Sequence, residues 1–550
     1  MNLSLAAPAA LLLSSIAAQA QATVDTLADL RALPPGHTAQ ALGHTAVGDG
    51  GDGLFVWVDP CAEADNGGTV IASTAKASGR WKRLAAEPLS VRWFGACGDG
   101  THDDTAALQA ALTTAAKGGG ATISVPPGTY LVTSTLTIRA NCTLLGAGGA
   151  SVLKWGGGAW VNTATQIRLG TLLDITGKSN IRIADLVFDA AGADLQLIHM
   201  ANGVDTAPLV IENDRFIHLS RASADNRYAR SLAIALAGGR TITRNCYCDG
   251  AASDTFNYNS GWHLVANNII LNGEDGGIAF NNGAHGVISG NWIYNCDLGI
   301  GMGHPGTVEQ SKENSTTITG NTIEQCMCGI NMGWFGYQGK GAPRNWAISG
   351  NVFKSSATRD ISYDGPTRGF AGIGAITGNT SCHVGSPRHH NFRHAERGNQ
   401  TSAIFARLVN CDDVTISGNT IVDPDADGDL IIVGGSRNIV VANNLISVAP
   451  PPRQLSAVRL LDAGGVSVSG NRVSGEVECF LRSDSAAPLS DLHVNDNVVS
   501  GYRVNAVQIK GPLAQAELLH NRFTPAEGAG PAFACPAPAA DVQVDAALRR

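Results

Sequence analysis

The sequence predicts an all-β chain: a single-stranded parallel β-helix of about thirteen coils, with an N-terminal capping helix and a small N-terminal β-rich module. Three observations predict it. A short motif recurs: VISGN ends at Asn291, TITGN at Asn321, AISGN at Asn351, AITGN at Asn379 and TISGN at Asn419, followed by VVANN at Asn444, SVSGN at Asn471 and HVNDN at Asn497. Between these motifs run short alternating strands such as GIAF, GIGM and GINM, and no long helical periodicity interrupts them. The composition agrees, since 66 of 550 residues are Gly and only 15% are charged, while 44% are hydrophobic, which supplies many tight turns and ample core.

In chain order, residues 1–22 (MNLSLAAPAALLLSSIAAQAQA) read as a secretory signal peptide with A-x-A options ending at Ala20 or Ala22, so the mature chain is expected to be secreted or periplasmic. No other stretch reaches the ~18 apolar residues of a membrane span. Residues 23–85 form the small module, in which GDGGDGLFVWV and the closing GRWKRL suggest short strands. The β-helix is assigned to residues 86–523. It starts with TAALQAALTTAAK, which Asp103 or Asp104 precedes as N-cap and Gly118–Gly120 terminate. Capping is the better reading of that Asp pair than catalysis, and the helix is expected to plug the open end of the first coil. Early coils run from about Ile123 through Asn180–Asp189 and Leu209–Phe216.

The repeat extends upstream to TITRN at Asn245 and HLVANN at Asn268, and downstream to ELLHN at Asn521. Each repeated Asn is read as a rung of an inward amide ladder, with Ile and Val beside it filling the core. Cys296 and Cys326 each fall five residues after a ladder Asn and read as an inward thiol stack rather than a disulfide. The tail, residues 524–550, is a cap or a loose terminus.

The charge balance of 38 basic against 46 acidic residues, net −8, argues against nucleic acid as the partner. The twelve Cys show no paired C-x-x-C spacing, so no metal site is assigned.

The WFGACGDGTHDDTAALQAAL block followed by VPPGTY resembles the start of pectate-lyase-like (pectin lyase-like) right-handed β-helix proteins, a group that includes polygalacturonases, polysaccharide lyases, epimerases and tailspike depolymerases. The preceding module, with DNGGTVIAS and GRWKRL, is similar to one found ahead of such helices in tailspike-like and secreted bacterial members. The resemblance covers about residues 25–523 and implies a polysaccharide partner; it also permits a homotrimer.

Coils between Asn291 and Asn419 carry insertions at Gly303–Ser315, Trp334–Asn345 and His383–Ser402, so the binding surface is expected there. Asp254, Asp275 and Asp297 stand 21 and 22 residues apart, about one coil each, and Glu274 adds a fourth carboxylate. Stacked carboxylates suit an acid and a base sharing one glycosidic bond, with crowding raising at least one pKa. Endo-acting hydrolysis by these four is the first expectation.

The pattern is similar to glycoside hydrolase family 28, with Asp254 matching the Asp of its N-T-D and Glu274–Asp275 its D-D pair. The pair is Glu-Asp here, G-H-G is missing in register with His304 several residues late, and Arg359 only faintly echoes R-I-K. A pectin-type substrate is therefore not supported.

The competing expectation is a polysaccharide lyase or uronate C5-epimerase, which needs a cation for the uronate carboxylate and a base. Arg227, Tyr228, Arg230, His304, Lys312, Tyr337, Lys340, Arg344, Arg359 and Tyr363 are candidates, with a basic patch holding His383, Arg388, His389, His390, Arg393, His394 and Arg397. Substrate binding is assigned to His304, Trp334, Tyr337, Lys340, Arg344, Arg359, Arg388 and His389, whereas Trp346 is read as packing under its own loop. No cofactor is expected, Ca²⁺ being admitted only for a lyase. A non-catalytic polysaccharide-binding β-helix is the third reading.

Overall fold

The computed structural model describes residues 22–84, 87–158, 166, 168–205, 207–221, 230–303, 315–333, 343–365, 372–383, 404–423, 428–450, 454–485, 487–536 and 538–548. Of the expected signal peptide, residues 1–22, all but Ala22 lie outside this set. No helix of the described residues is long and apolar enough to cross a membrane. The chain divides into two compact units, Met1–Gly158 with Leu172–Asp189, and Ala159–Thr171 with Ala190–Arg550.

The first unit opens with strand β1 (Ala22–Val24), helix α1 (Leu27–Ala32) and strands β2 (Thr38–Ala41), β3 (Gly53–Val58), β4 (Val70–Ala72) and β5 (Arg80–Arg83), forming one sheet in the order β1-β2-β3-β5-β4. Thr26 and Asp29 close a reciprocal capping box at the start of α1. Leu27 and Leu30 of that helix pack with Phe55, Ile71 and Trp81 as the module's core. Helix α2 (Thr105–Lys117) follows and buries Leu108, Ala111, Leu112 and Ala115 against the first short strands of the solenoid. Thr122–Ser124, Thr143–Leu145 and Ile181–Ala184 then pair in parallel, as do Gly128–Val132 and Ser151–Trp155.

The Asp103/Asp104 pair divides its labour. Asp104 occupies the N-cap position of α2, yet its side chain makes no cap hydrogen bond. Asp103 Oδ1 instead accepts from the Thr105 backbone N–H at 3.0 Å, and the Thr105 and Thr133 hydroxyls, with that backbone contact, hold its carboxyl below the usual carboxylate range.

The second unit is a ladder of parallel strands in which each coil hydrogen-bonds to the next. Its sharpest corner is the repeated dipeptide. The residue before each ladder Asn takes a left-handed conformation: Gly320 has φ 64° and Gly350 φ 62°, and at the same place Asn267 has φ 57° and Asn443 φ 54°. The Asn that follows turns inward. Oδ1 of Asn321 accepts from the backbone N–H and from Nδ2 of Asn291, both at 2.9 Å, and the pattern repeats through Asn351, Asn379, Asn419, Asn444, Asn471, Asn497 and Asn521. Buried amides satisfied this way keep their hydrogen bonds on leaving water and fix the register of the coils they join.

Asn245 departs from the expectation. It sits in the left-handed slot with φ 55°, and Cys246 takes the inward position, donating its backbone N–H to Asn268 Oδ1 at 2.9 Å. The ladder therefore begins at Asn268.

Beside the ladder, Val265, Ile288, Ile318, Ile348 and Ile376 align coil to coil, as do Ile270, Ile293, Ile323 and Phe353. All are buried, and each contributes about 1.5–3 kcal/mol by burial. Cys296 and Cys326 are buried and free, and burial pushes the Cys326 thiol well up, with Cys296 beside it adding to the effect. The tail does not dangle: Pro538–Val544 pairs in parallel with Leu513–Leu519, and Leu548 is buried.

The strands that bear on function are β6 (Phe256–Asn259), β7 (Gly276–Asn281), β8 (Leu298–Met302), β9 (Cys328–Met332), β10 (Arg359–Asp364) and β11 (Ile404–Val409), stacked in that order. Ile278, Ile300, Ile330 and Ile361 fill one register position across β7 to β10.

Candidate functional site

The four expected carboxylates all lie at the corner leading into β6, β7 and β8, but they do not form one column. The β7–β8 register aligns Gly276 with Leu298, and Leu298 N–H donates to the Asp275 carbonyl at 3.1 Å, so Asp275 and Asp297 share a position. The β6–β7 register pairs Phe256 with Ile278, which sets Asp254 opposite Gly276, one residue further on. Both coil steps are 22 residues, so the spacing of 21 between Asp254 and Asp275 is the slip, which the sequence alone does not distinguish from a coil one residue shorter. Asp254 is half-buried and fixed: Oδ2 accepts from Asn257 Nδ2 at 2.6 Å, and Oδ1 from the Gly276 backbone N–H at 3.1 Å. A β-carbon on Gly276 would lie 2.6 Å from that Oδ1, so only glycine lets the carboxylate rest there. Asp275 is half-buried, whereas Glu274 and Asp297 are buried.

A polar face follows along β6 and β7. Asn259 Nδ2 donates to Asn257 Oδ1, and Asn282 Nδ2 donates to Asn259 Oδ1 at 2.8 Å. Gly303 is glycine for the same reason as Gly276, because its β-carbon would fall 2.3 Å from Asn281 Oδ1. Asn257, Ala279, Gly301, Asn331, Ser362 and Arg407 occupy one register position through β6 to β11. The neighbouring position runs from Asp254 past Gly276, Leu298 and Cys328 to Arg359. Burial pulls the Arg359 guanidinium below its ordinary value, and Arg359 donates to Ser362 Oγ at 3.1 Å. Four coil steps of about 4.8 Å put Asp254 and Arg359 roughly 19 Å apart along the stack.

Further along, the structure brings together a charged network that the sequence reading missed. Arg407 pairs with Asp364, Arg459 bridges Asp429 at 2.9 Å and Asp484 at 3.0 Å, and Arg482 and Lys510 also reach Asp484. Arg407, Ile432, Arg459 and Arg482 share one register position, a regularity that unequal coil lengths conceal in the sequence.

Of the expected binding residues, Arg344 stands immediately before strand Asn345–Ser349, and its carbonyl accepts from Ile373 N–H at 2.7 Å. His304, Trp334, Tyr337, Lys340, Arg388 and His389 lie outside the described residues, as do Arg227, Tyr228 and Lys312. Two candidates for chemistry are core residues instead. Tyr363 is fully buried, stacks on Trp346 at 5.5 Å and donates its hydroxyl to the Pro343 carbonyl at 3.1 Å. Trp346 is itself buried, as expected. His383 does not join a surface patch: it is buried, with Nε2 3.3 Å from Asp360 Oδ1, and Ser381 donates to the other Asp360 oxygen. The remaining patch residues, from Arg388 to Arg397, fall outside the described set.

Residues 89–339 match the family described as rhamnogalacturonase A/epimerase, pectate lyase-like, and residues 23–86 match a phage tail protein small four-stranded β-sheet domain. Among curated proteins, mannuronan C5-epimerase AlgE3 of Azotobacter vinelandii is 39% identical over 109 residues, covering 18% of this chain and 6% of that protein. Alginate lyase 7 of the same organism is 44% identical over 73 residues, covering 12% of this chain and 8% of that protein. The chain thus matches less than a tenth of the length of either relative. Among solved structures, the A-module of the Azotobacter vinelandii mannuronan C-5 epimerase AlgE4 covers 78% of this chain and 100% of its own, at 16% identity and a TM-score of 0.41.

Proposed function

With the chain a member of the pectate-lyase-like β-helix superfamily, we propose that it acts on an acidic polysaccharide laid along the face of β6 to β10, by proton chemistry at C5 of a uronate. The observation that carries this reading is the shared register of Asp254 and Arg359, with Gly276, Leu298 and Cys328 between them. A glycan lying parallel to the stack meets a carboxylate with the Asn257, Asn259 and Asn281 amides beside it at one end and a half-desolvated guanidinium at the other. The names of the curated relatives, epimerases and a lyase of uronate polymers, support the same class.

Abstraction of the C5 proton leaves negative charge delocalised into the uronate carboxylate. The amides beside Asp254 are the groups close enough to meet that charge. Arg359, roughly 19 Å along the stack, is placed to pair with the carboxylate of another uronate several sugars away and hold the chain in register, a pairing its partial burial strengthens. Asp254, tied by two hydrogen bonds, is placed to move a proton at the sugar without swinging away. Return of a proton to C5 gives the epimer; loss of the substituent at C4 gives an unsaturated end. The amide series Asn257, Asn259 and Asn281 hydrogen-bonds sugar hydroxyls.

Hydrolysis is the second reading, favoured by Asp275 and Asp297 sharing one register position on adjacent coils, where an acid and a base belong. One experiment separates the two. An acidic polysaccharide is incubated in D₂O, and C5 deuterium, unsaturated ends and reducing ends are followed together. Deuterium at C5, unsaturated ends, or both support the first reading. Reducing ends with neither deuterium nor unsaturation support hydrolysis and overturn it.

A further inference from the structure

We propose that the loop entering α2 holds a zinc-class divalent metal ion on Cys97, His102 and Asp104. One ligand atom from each of these three side chains lies within 4.8 Å of the others. The loop is in the first unit, on residues to which the proposed reaction assigns no part.

The local hydrogen bonding explains why the three converge. Asp104 has the N-cap position of α2 but leaves the capping to Asp103. Its own carboxylate, fully buried, turns back into the loop and accepts from Cys97 N–H at 2.6 Å and Gly98 N–H at 3.1 Å. That grip sets the carboxylate beside the thiol of the residue it holds. Asp99 Oδ1 accepts from the backbone N–H of Thr101 and of His102, both at 2.8 Å, which fixes where the imidazole leaves the chain. Gly98 lets the loop pass over Tyr130: its φ is 65°, and a β-carbon would lie 2.8 Å from the ring. Each ligand is therefore braced by a backbone contact, as ligands of bound metals usually are.

The donor set selects the metal class. One thiolate, one imidazole and one carboxylate suit Zn²⁺ or Co²⁺ and not the all-oxygen preference of Ca²⁺ or Mg²⁺. Three protein ligands leave a fourth tetrahedral position for water. Asp99 and Asp103 add negative charge that offsets the positive end of the α2 dipole. Bound there, the ion clasps the loop to the helix it precedes.

The test uses the full chain, reduced and stripped of metal by a chelator. Titration with Co²⁺ is expected to give a thiolate-to-cobalt charge-transfer band in the near ultraviolet, displaced by Zn²⁺. Cys97→Ser abolishes the band, and His102→Ala, at an exposed position, weakens binding by about tenfold or more. As a readout needing no variant, Zn²⁺ is expected to slow alkylation of Cys97 relative to the half-buried Cys61 by about tenfold, measured by peptide mass spectrometry. The proposal is overturned by a wild type with no band, by a band that persists in Cys97→Ser, or by unchanged alkylation of Cys97 with Zn²⁺.

Discussion

Asn291 and Asn321, thirty residues apart in sequence, are joined in the core by two hydrogen bonds of 2.9 Å, both accepted by the Asn321 side-chain oxygen. The Asn321 amide in turn donates to the Ile288 carbonyl at 3.0 Å and to Asn351 Oδ1 at 2.9 Å.

Asn321→Ala strands the Asn291 backbone N–H and one hydrogen of the Asn291 amide, whose other still reaches the Val265 carbonyl, and takes the amide donor from the Ile288 carbonyl in a dry core. At about 1 kcal/mol or more for each stranded group, the variant should lose about 3 kcal/mol. Urea unfolding followed by circular dichroism measures this, and a loss under about 1 kcal/mol would show that water reaches the ladder.

Gly350 tests the turn independently of the ladder. A β-carbon there meets nothing within 4 Å, so only its φ of 62° resists substitution. Gly350→Asn should be nearly neutral, since Asn267 and Asn443 hold the same conformation, whereas Gly350→Val should cost about 1–2 kcal/mol. Equal midpoints for the two variants would contradict the assignment.

His263 makes stability depend on pH. It is fully buried, its Nδ1 sits 2.8 Å from Thr241 Oγ1 and its Nε2 2.6 Å from the Ser260 carbonyl. Burial lowers its pKa to about 4 from 6.5. The unfolded chain therefore binds a proton that the folded chain refuses. Stability is full above pH ~6.5 and falls as pH drops towards 4, by about 3 kcal/mol over that window. Denaturant midpoints at pH 7 and pH 4.5 should differ less in His263→Gln than in wild type; an identical difference would place the pH dependence elsewhere.

The thiols predict a labelling pattern. All twelve cysteines are free, and only Cys61, Cys97, Cys382 and Cys535 are not buried. Iodoacetamide should modify at most those four in the native chain, and all twelve in urea, counted by intact mass. Fewer than twelve in unreduced, urea-treated protein would reveal a disulfide.

Arg359→Ala tests the proposed face. It should raise KM for an acidic polysaccharide and lower kcat/KM by about tenfold or more with kcat little changed, the loss of one charge-assisted contact to a bound uronate carboxylate. Binding of a neutral glycan should not change. An unaltered kcat/KM would remove Arg359 from the reaction.

How much of this was legible in the sequence depends on whether a residue letter determines its direction. The Gly-Asn dipeptide does, because glycine serves the left-handed slot and leaves Asn for the core. TITRN misleads because Asn tolerates the left-handed slot as well, and only the following Cys246 shows which position points inward. The carboxylates stand just before their strands, as the spacing implies, yet spacings of 21 and 22 do not say whether a coil has shortened or a side chain has slipped by one residue. Tyr363 and His383 looked like chemistry because Tyr and His are reactive types. Their burial against Trp346 and Asp360 follows from tertiary packing that no local pattern encodes.

The amide chain also runs one way. Every rung from Asn268 to Asn497 gives its backbone hydrogen and one amide hydrogen to the coil after it. Its other amide hydrogen goes to a carbonyl of the coil before it, so each internal boundary presents the same face to whatever is joined there. Such a molecule can be edited by whole turns. Excising the 27 residues Leu445–Asn471 would set Asn444 against Asn497 with donors and acceptors still matched, whereas excising one residue more or fewer would throw the next strand's core side chains outward. Length in this chain is a variable that can change in steps of one coil without redesign of its neighbours.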